Sequence, residues 1–401
     1  MSGPSAPGAN QGREVAVVGA GIGGLAAALC FARRGARVTV LERAAALREA
    51  GAGLQVSPNG HRVLRALGLE VGERSEAVLL RDGRSGRSVA RLALPGPEGP
   101  HWRMAHRADL LDVLAGACHD EGVEVRTGTA VSRVAATEGR PILELHDGER
   151  MAPDLLIGAD GVRSVVRPVL NAGGAPRFTG QSAWRALVAV DDPPPMRAEV
   201  HLLPGRHAVT YPLRGGSMVN LVAVAERDEW AAEGWDTPDD PDRLRGAFAD
   251  AGRGLRRLLD RVRETRLWGL HLHPVAEDWG SAGIALLGDA AHPTLPFLAQ
   301  GANLALEDAW VLAAQTDEPV SLDRGLRRYR DLRRDRAARA VAAARANGRD
   351  YHLAGWRRAL AHAALRVGSA VAPGAITRRT AWLHGHDVTD GGRLPSRFAE
   401  R

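Results

Sequence analysis

The strongest constraint on the fold is a glycine-rich turn between a short β-rich run at 13–18 and a helical pattern that continues to Arg34. A second β-rich run, 37–41, follows and ends at Glu42. The turn has the spacing G-x-G-x-x-G, and its three glycines are Gly19, Gly21 and Gly24. Such glycines permit the tight turn, let the backbone approach a pyrophosphate, and let the helix pack closely on the sheet. This pattern predicts a βαβ unit that binds a dinucleotide, with the pyrophosphate at the positive end of the helix.

An acidic residue stands where a ribose would need a hydrogen-bond acceptor. Glu42 lies 18 residues after Gly24 and directly after the second predicted strand. A carboxylate at this position can accept hydrogen bonds from a ribose diol. NAD and FAD share this arrangement, so the turn and the acid leave the identity of the dinucleotide open.

Two later strands also end in turns that contain glycine and aspartate. The apolar run 154–157 leads to Asp160, and the run 284–287 leads to Asp289. After the second turn, a loop broken by prolines reaches a helix that starts near Gly301. The unpaired N–H groups of a helix N-terminus favour an electron-rich ligand, so this region predicts part of a binding site. A simpler interpretation of Asp160 is that it caps a strand-to-helix turn.

The pattern changes between 178 and 273, where apolar and polar residues alternate in runs that are separated by turns. This period of two predicts an antiparallel sheet. A helical pattern at 241–263 interrupts it, and strand-like pieces at 77–103 are expected to join the same region. We therefore predict four segments: the first part of the dinucleotide-binding domain (13–175), a substrate domain (176–279), the second part of the dinucleotide-binding domain (280–340) and a C-terminal helical region (341–401).

The charge pattern argues against a nucleic-acid-binding protein. All 53 basic residues are arginine, and they give a formal charge of +6 and a pI near 10.3. Basic and acidic residues interleave almost everywhere, which is typical of an ordinary solvated surface. The denser arginine run at 327–345 has helical spacing and is expected to form the charged outer face of a helix.

The remaining composition indicates a globular chain in a reducing compartment. With 401 residues, 45% hydrophobic and 25% charged, the chain is long enough for two domains, and no apolar run approaches a membrane span. Two cysteines, Cys30 and Cys118, lie in helix-like apolar contexts, which suits a reducing cytoplasm. Residues 1–12 are small and polar, and we expect them to form a disordered leader.

The segment around the last predicted strand end carries a family resemblance. Gly-Asp-Ala-Ala-His-Pro from Gly288, followed by Gln-Gly-Ala-Asn from Gln300 and Glu-Asp-Ala from Glu307, resembles the second flavin motif of the single-component FAD-dependent aromatic hydroxylases. This group includes para-hydroxybenzoate hydroxylase, salicylate hydroxylase and 3-hydroxybenzoate 6-hydroxylase. The turn at 19–24 and the segment 158–164 match the family in the same order. The resemblance implies the following FAD-binding residues: Gly19, Gly21, Gly24, Glu42, Arg43, Arg107, Val131, Asp160, Asp289, Gly301, Ala302 and Asn303.

The resemblance also implies an architecture and a reaction. The expected α/β fold has a Rossmann-like FAD-binding domain, an antiparallel-sheet substrate domain and C-terminal helices. In this family NAD(P)H reduces FAD, O2 forms a flavin hydroperoxide, and one oxygen atom passes to an activated aromatic ring. The expected substrate is a small hydroxylated aromatic acid. The sequence shows no second Rossmann unit, so NADH or NADPH is expected to visit only transiently.

A base is needed to make a phenol ring nucleophilic, and the predicted sheet offers one. His207 and Tyr211 are four residues apart in a predicted strand, so their side chains point to the same side. This spacing is similar to that of the His and Tyr pair in 3-hydroxybenzoate 6-hydroxylase and 6-hydroxynicotinate monooxygenase. Gln300 matches a glutamine that precedes the helix glycine in those branches, so the resemblance implies these three residues as catalytic. The alternative is an exposed histidine and a half-buried tyrosine on an ordinary strand.

Three further residues are predicted to contact the substrate. Arg185 belongs to an aromatic-arginine pair that resembles one in the family, and Arg185 or Arg214 could hold a substrate carboxylate. Pro296 is expected to stiffen the loop over the flavin ring. Two pairs of histidines are close in the sequence, His271 with His273 and His384 with His386. Neither pair has a third ligand at metal spacing, so no metal site is predicted.

Other functions stay open on the sequence. The same scaffold supports epoxidation, hydroxylation or dehydrogenation of a larger natural-product intermediate. A non-enzymatic FAD-binding module is a further alternative, although the elaborated loop before Gly301 argues against plain binding. Halogenation is disfavoured because the chain has no Trp-x-Trp-x-Ile-Pro segment. We expect no nucleic-acid or membrane partner, and a monomer or homodimer.

Overall fold

The computed structural model describes residues 8–47, 52–94, 99–227, 237–372 and 374–390. Within these ranges the beginning of the chain is anchored. Asn10 is fully buried, its backbone N–H donates to Asp317 Oδ1 over 2.9 Å, and its Nδ2 donates to the carbonyl of Ala313 over 3.0 Å. The predicted disordered leader is therefore wrong for residues 8–12, and its first part, 1–7, lies outside the described residues.

A six-stranded sheet forms the centre of the first domain. Its strand order is Gly280–Ser281, Ile284–Leu286, Leu155–Gly158, Glu14–Val18, Arg37–Leu41 and Glu124–Arg126. All neighbours are parallel except the first pair, which is a short antiparallel turn. The central strands are almost wholly apolar because helices or loops cover both faces of a parallel sheet. This sheet confirms the predicted Rossmann-like domain.

An eight-stranded sheet forms the second region. Its strand order is Thr237–Asp239, Thr265–Leu272, Arg177–Ala189, Met218–Glu226, Arg206–Leu213, Ala198–Leu203, Ala77–Asp82 and Ser88–Ala93. Its neighbours are antiparallel except Ala198–Leu203 with Ala77–Asp82. The predicted alternation is confirmed, since Trp184 and Ala208 on one face pack with Phe248 beneath two short helices, while the intervening residues face the first domain. The piece at 77–103 contributes two strands to this sheet, as expected.

Two small antiparallel sheets complete the strands: Gly53–Val56, Arg103–His106 and Glu73–Arg74 in one, and Val131–Thr137, Arg140–Leu145 and Arg150–Met151 in the other. The α-helices of the described residues are Ile22–Ala32, Pro58–Ala66, Arg107–Asp120, Arg167–Leu170, Pro241–Ala247, Arg253–Asp260, Gly301–Asp317, Leu322–Tyr351, Gly355–Val371 and Ala375–His384. Short 3-10 turns occur at Gly161–Arg163, Arg214–Gly216, Gly288–Ala290 and Pro296–Leu298.

The chain is helical from Gly301 to His384 apart from short connections, as expected, with one difference from the predicted segments. Helix Leu322–Tyr351 continues without a break through positions 340 and 341, where the last boundary is predicted. Cys30 and Cys118 are buried free thiols. None of the helices in the described ranges is long and apolar enough to cross a membrane.

A buried ionic network joins helices Gly301–Asp317 and Leu322–Tyr351. Glu307 and Asp308 are both fully buried. Arg333 lies 2.5 Å from Glu307 through Nη1 and donates from Nε to Asp308 over 2.8 Å, and Arg336 makes two further hydrogen bonds to Glu307 at 2.7 and 2.8 Å. Arg333 is only 1% exposed, so the expectation that the whole arginine run faces solvent is wrong at this position. Its outer members, such as Arg334, are exposed.

The network keeps both carboxylates ionised. Burial alone would raise the pKa of Asp308, but His292 and Arg333 outweigh burial and lower it to about 2. Burial likewise opposes the ionised form of Glu307, and Arg333 and Arg336 hold its pKa below the ordinary value. Because the folded-state pKa of Asp308 lies below 3.8, its stabilising contribution is complete above about pH 4 and is lost as the pH falls toward the folded value.

Replacing Arg333 with methionine removes the cation that Glu307 and Asp308 share. We expect Arg333→Met to lower the free energy of unfolding by ~3–5 kcal/mol, because an uncompensated buried charge is costly. Chemical denaturation at neutral pH measures the change. The matched control is Arg334→Met, an exposed neighbour on the same helix, which should leave stability nearly unchanged. Equal losses in the two variants would contradict the role given to the network.

Candidate active site

Four strand ends line up at the carboxyl edge of the parallel sheet. Val18 is paired with Leu41 on one side and with Gly158 on the other, and Gly158 is paired with Leu286. The turns that follow these residues therefore start at the same level. In open α/β sheets this edge is where ligands bind. The three turns predicted from the sequence are thus brought together.

The first turn shows why each of its glycines is needed. Gly19 has φ +101°, and a Cβ added there would lie 2.6 Å from the carbonyl oxygen of Ala159. A Cβ on Gly24 would lie 1.9 Å from the carbonyl oxygen of Gly19, so this glycine permits helix-to-strand packing. A Cβ on Gly21 would meet no protein atom within 4 Å. Gly21 thus leaves its backbone open at the N-terminus of helix Ile22–Ala32, as a bound pyrophosphate requires.

The acid of the second strand is held against this turn. Glu42 accepts hydrogen bonds from the backbone N–H groups of Ala20 at 2.9 Å and Ala44 at 2.8 Å. Its carboxylate is half-buried and stands where an acceptor for a ribose is predicted. Arg43 beside it is exposed, and Val131 is buried at the start of a neighbouring strand.

The second turn combines capping with an unsatisfied oxygen. Asp160 Oδ2 accepts from the backbone N–H of Val165 over 2.7 Å, so the capping interpretation is correct for that oxygen. Its Oδ1 is buried and has no hydrogen-bond partner among the described residues. Burial raises the pKa of this carboxyl, and its hydrogen bonds to the turn oppose the shift. The free oxygen can accept a hydrogen bond from a ligand hydroxyl.

The third turn is fixed by Asp308 of the buried network. Asp308 Oδ2 accepts from the backbone N–H of Gly288 over 3.1 Å and lies 2.5 Å from His292 Nε2. The His292 ring stacks on Trp279 with centroids 5.1 Å apart. The sequence motif thus pairs a loop histidine with a helix aspartate, and the pair sets where the loop leaves the sheet. The hydrophobic periodicity of the sequence does not predict this role of Asp308. The signal that could have indicated it is the pair of adjacent carboxylates, Glu307 and Asp308, within an apolar helix.

The loop ends at an open helix N-terminus. Leu304 makes the first backbone hydrogen bond of helix Gly301–Asp317, so the N–H groups of Gly301, Ala302 and Asn303 are not used by the helix. A Cβ on Gly301 would meet only Asp289 Oδ1, at 3.9 Å. These backbone groups fit the predicted binding role. The Asn303 side chain does not, since it is buried and bonds the backbone of the 55–57 segment.

Gln300 does not have the position expected of a catalytic residue. Its side chain is fully buried, its Nε2 donates to Ser57 Oγ over 3.0 Å, and its Oε1 accepts from Asn59 over 3.1 Å. Both amide atoms are therefore occupied by the segment that opens helix Pro58–Ala66. The side chain points into the protein and ties two helix N-termini together, so this geometry does not support the catalytic prediction for Gln300.

Two partly buried arginines, Arg107 and Arg185, lie near Asp289 of the third turn. Burial lowers the pKa of Arg107 to about 10, nearby Arg185 adds to the shift, and Asp289 opposes it. Burial raises the pKa of Asp289, with His292 and Arg107 acting against the shift. The Arg185 guanidinium also lies 4.6 Å from the centroid of the Trp268 ring. Electrostatically, this is a place for a ligand that carries negative charge.

Arg214 and Pro296 occupy surface positions. Arg214 Nη2 donates to Asp109 over 2.8 Å, and both side chains are roughly half exposed. An arginine that is already paired in solvent is a poor receptor for a substrate carboxylate, so the prediction for Arg214 is not supported. Pro296 is exposed and opens a 3-10 turn whose next residue, Phe297, is buried.

His207 and Tyr211 lie on the sheet face that is turned toward the first domain. The register pairs Val209 with Val222 and Val222 with Arg185, which places Arg185 on the same face. His207 contacts the rings of Phe297 and Tyr351, with centroids 5.3 and 5.1 Å away. Tyr211 packs against Gly53, where a Cβ would lie 2.6 Å from the tyrosine ring. The alternative of an exposed histidine is wrong, because His207 is only 1% exposed.

Burial makes both residues neutral near pH 7. It lowers the pKa of His207 well below 6.5, and His352 lowers it further. It raises the pKa of Tyr211, with Arg185 and Asn220 opposing the shift. A neutral imidazole can accept a proton, and a protonated tyrosine can donate a hydrogen bond.

A cleft of about 440 Å³ lies on the opposite face of the large sheet. Its lining includes Arg81, Arg197, Glu199 and His201. Arg81 and Arg197 both pair with Glu199, at 2.5 and 3.0 Å. These cations are therefore already neutralised, and the glycine turns and the Arg107–Asp289 cluster are not part of this cleft.

Replacing Gly21 with alanine should weaken cofactor binding without affecting the stability of the fold. The added Cβ meets no protein atom, so Gly21→Ala should leave the thermal unfolding of the FAD-free chain unchanged while it lowers FAD affinity ~10-fold or more by filling the pyrophosphate space. Gly24→Ala should destabilise the chain by ~1–3 kcal/mol because of overlap with Gly19. Gly116→Ala, on an open helix surface, is the control: it should leave FAD affinity unchanged and should not destabilise the chain, since alanine favours a helix interior by ~1 kcal/mol over glycine. Titration of FAD fluorescence measures the affinity, and undiminished affinity in Gly21→Ala would contradict the cradle.

Comparisons with known proteins agree with this geometry. A family model described as "FAD binding domain" matches residues 13–344. The chain is 37% identical over 354 residues to 3-amino-4-hydroxybenzoate 2-monooxygenase of Streptomyces cremeus, which covers 85% of this chain and 88% of the relative. It is 36% identical over 362 residues to 3-hydroxybenzoate 6-hydroxylase of Klebsiella oxytoca, which covers 85% and 89%.

A solved structure is similar over nearly the whole length. A salicylate hydroxylase substrate complex superposes with a TM-score of 0.79 at 25% identity, covering 96% of this chain and 98% of that one. The open glycine turn, the open helix N-terminus and the family match together identify FAD as the cofactor. The chain belongs to the family of FAD-dependent aromatic hydroxylases.

Proposed function

We propose that the chain hydroxylates a small aromatic acid that carries a phenolic hydroxyl. The observation that supports this most directly is that a cationic side chain, Arg185, and a neutral base, His207, lie on the same face of the large sheet. Arg185 and Arg107 gather positive charge near Asp289, and His207 supplies a neutral base on the same face as Arg185. A hydroxybenzoate has the matching pair of groups, a carboxylate and a phenol. The relatives named above act on hydroxybenzoates by their names, which supports the same substrate class.

The protein residues prepare the substrate and the site. Bound FAD, reduced by NADH or NADPH, supplies the electrons that activate O2 for transfer of one oxygen atom to the ring. The free N–H groups at Gly301 to Asn303 favour negative charge at the ring end of the cofactor. Arg185 holds the substrate carboxylate, and His207 takes the phenol proton so that the ring becomes electron-rich. Tyr211 remains protonated and donates a hydrogen bond to the substrate oxygen.

Apolar side chains exclude water from the proposed site. Phe297 and Trp268 are buried in one cluster beneath the sheet face that carries the proposed base. Exclusion of water strengthens the charge contacts and protects a reactive oxygen species from hydrolysis. The two buried thiols support a cytoplasmic location, and a transient visit by the nicotinamide cofactor remains our interpretation.

The function is tested by measuring NADH and NADPH oxidation with a panel of aromatic acids. The panel includes 3-hydroxybenzoate, 3-amino-4-hydroxybenzoate and salicylate, each compared with its methyl ester. We expect at least one free acid to stimulate oxidation and to yield a product heavier by one oxygen atom in mass spectrometry. Oxidation without an oxygenated product, or a product that has only lost hydrogen, would reject the proposal in favour of an oxidase or dehydrogenase.

The carboxylate role of Arg185 predicts a selective defect. Arg185→Gln should raise the KM for the acid ~10- to 100-fold, because it removes one charge-assisted hydrogen bond. The primary amide analogue should lose much less. Arg214→Gln is the control, since that side chain is already paired with Asp109, and its KM should stay near the wild-type value. A defect confined to Arg214→Gln would reverse our assignment of the two arginines.

A further inference from the structure

A chain of hydrogen bonds leads from the proposed base to the protein surface. His207 Nδ1 lies 2.8 Å from His352 Nε2, and His352 Nδ1 lies 2.8 Å from Glu226 Oε1. The two histidines are 1% and 6% exposed, whereas the Glu226 side chain is 58% exposed. The three residues come from different elements: a strand, the end of helix Leu322–Tyr351, and the end of the neighbouring strand. No sequence pattern points to His352, which lies 145 residues after His207.

The chain fixes the tautomers of both imidazoles. An ionised carboxylate only accepts hydrogen bonds, so Glu226 requires the proton of neutral His352 to be on Nδ1. His352 Nε2 is then an acceptor, so His207 must donate from Nδ1. The lone pair of His207 is consequently on Nε2, which is the nitrogen that stays available to a substrate. A surface carboxylate thus determines which nitrogen of a buried histidine is basic.

One side chain competes with this arrangement. Gln181 Nε2 lies 3.4 Å from His352 Nδ1, and an amide N–H at that distance would favour the opposite tautomer. The contact to Glu226 is shorter by 0.6 Å and is charge-assisted, so it prevails. The rings of Phe297 and Tyr351 also contact His207. Neither carries a charge near pH 7, since burial raises the pKa of Tyr351 to about 12.

We propose that His352 and Glu226 are positioning residues that set the basic tautomer of His207 and carry the substrate proton to solvent. The inference deepens the proposed function and rests on it for the identity of the proton. The phenol O–H bond breaks as its proton goes to Nε2 of His207. The Nδ1 proton of His207 then passes to Nε2 of His352, the Nδ1 proton of His352 passes to Glu226, and Glu226 releases one proton to water. The reverse transfer restores the starting tautomers when the product is protonated.

The tautomers can be measured without a substrate. In nitrogen NMR of the FAD-bound chain labelled at histidine, the signals of His207 and His352 are assigned by their loss in His207→Asn and His352→Asn. We expect both rings to carry the proton on Nδ1. Glu226→Ala should convert His207 wholly or partly to the Nε2-protonated form, and Glu226→Gln, which keeps an accepting oxygen, should preserve the wild-type form. An Nε2 proton on His207 in the wild type, or an unaltered tautomer in Glu226→Ala, would overturn the inference.

Kinetics test the proton path separately. With 3-hydroxybenzoate or 3-amino-4-hydroxybenzoate, whichever is hydroxylated, Glu226→Ala should lower kcat ~10-fold with KM changed less than ~3-fold, since it disables the base without removing it. Glu226→Gln should recover part of the loss, and Glu264→Ala, an exposed control, should match the wild type. Wild-type kcat in Glu226→Ala would overturn the proton path. If no acid of the panel is hydroxylated while the NMR result is as predicted, the proposed function fails and the tautomer assignment stands.

Discussion

Two adjacent buried carboxylates impose the constraint that organises this protein. Glu307 and Asp308 lie in the interior of an apolar helix, so each must be matched by charge or hydrogen bonds. Their partners come from elements that would otherwise have no fixed relation: Arg333 from the long C-terminal helix, Asn59 from an early helix, and His292 from the loop at the sheet edge. Satisfying the carboxylates therefore fixes the loop and the helix that follows it relative to each other.

Burial and neighbouring charges also distinguish the two arginines of the candidate site from its proposed base. Positive charge collects around Arg107 and Arg185, where burial is tolerated because Asp289 lies nearby. The proposed base, by contrast, is kept neutral by burial and is within hydrogen-bond distance of a second histidine. A small phenolic acid would bring its anion to the first place and its proton to the second. The fold thus provides two different electrostatic environments on one face of a sheet.

The sequence predicted the parts of the structure that local pattern encodes. Glycine spacing and apolar runs gave the βαβ unit and the strand ends, and period-two alternation gave the large sheet, because these signals depend only on neighbouring residues. Local pattern does not reveal contacts that are decided by distant partners. Gln300 matched a family position but is occupied by Ser57 and Asn59, and Arg333 belongs to a charged run but is turned inward by two carboxylates. No local pattern could place His352 beside His207.

The central claim is that this chain uses bound FAD to transfer an oxygen atom from O2 to an aromatic ring. The direct measurement is the origin of the oxygen in the product, determined by mass spectrometry after turnover with NAD(P)H under isotopically labelled dioxygen in ordinary water. The account predicts one labelled oxygen atom in each product molecule. A product whose new oxygen comes from water, or one that contains no new oxygen, would contradict it.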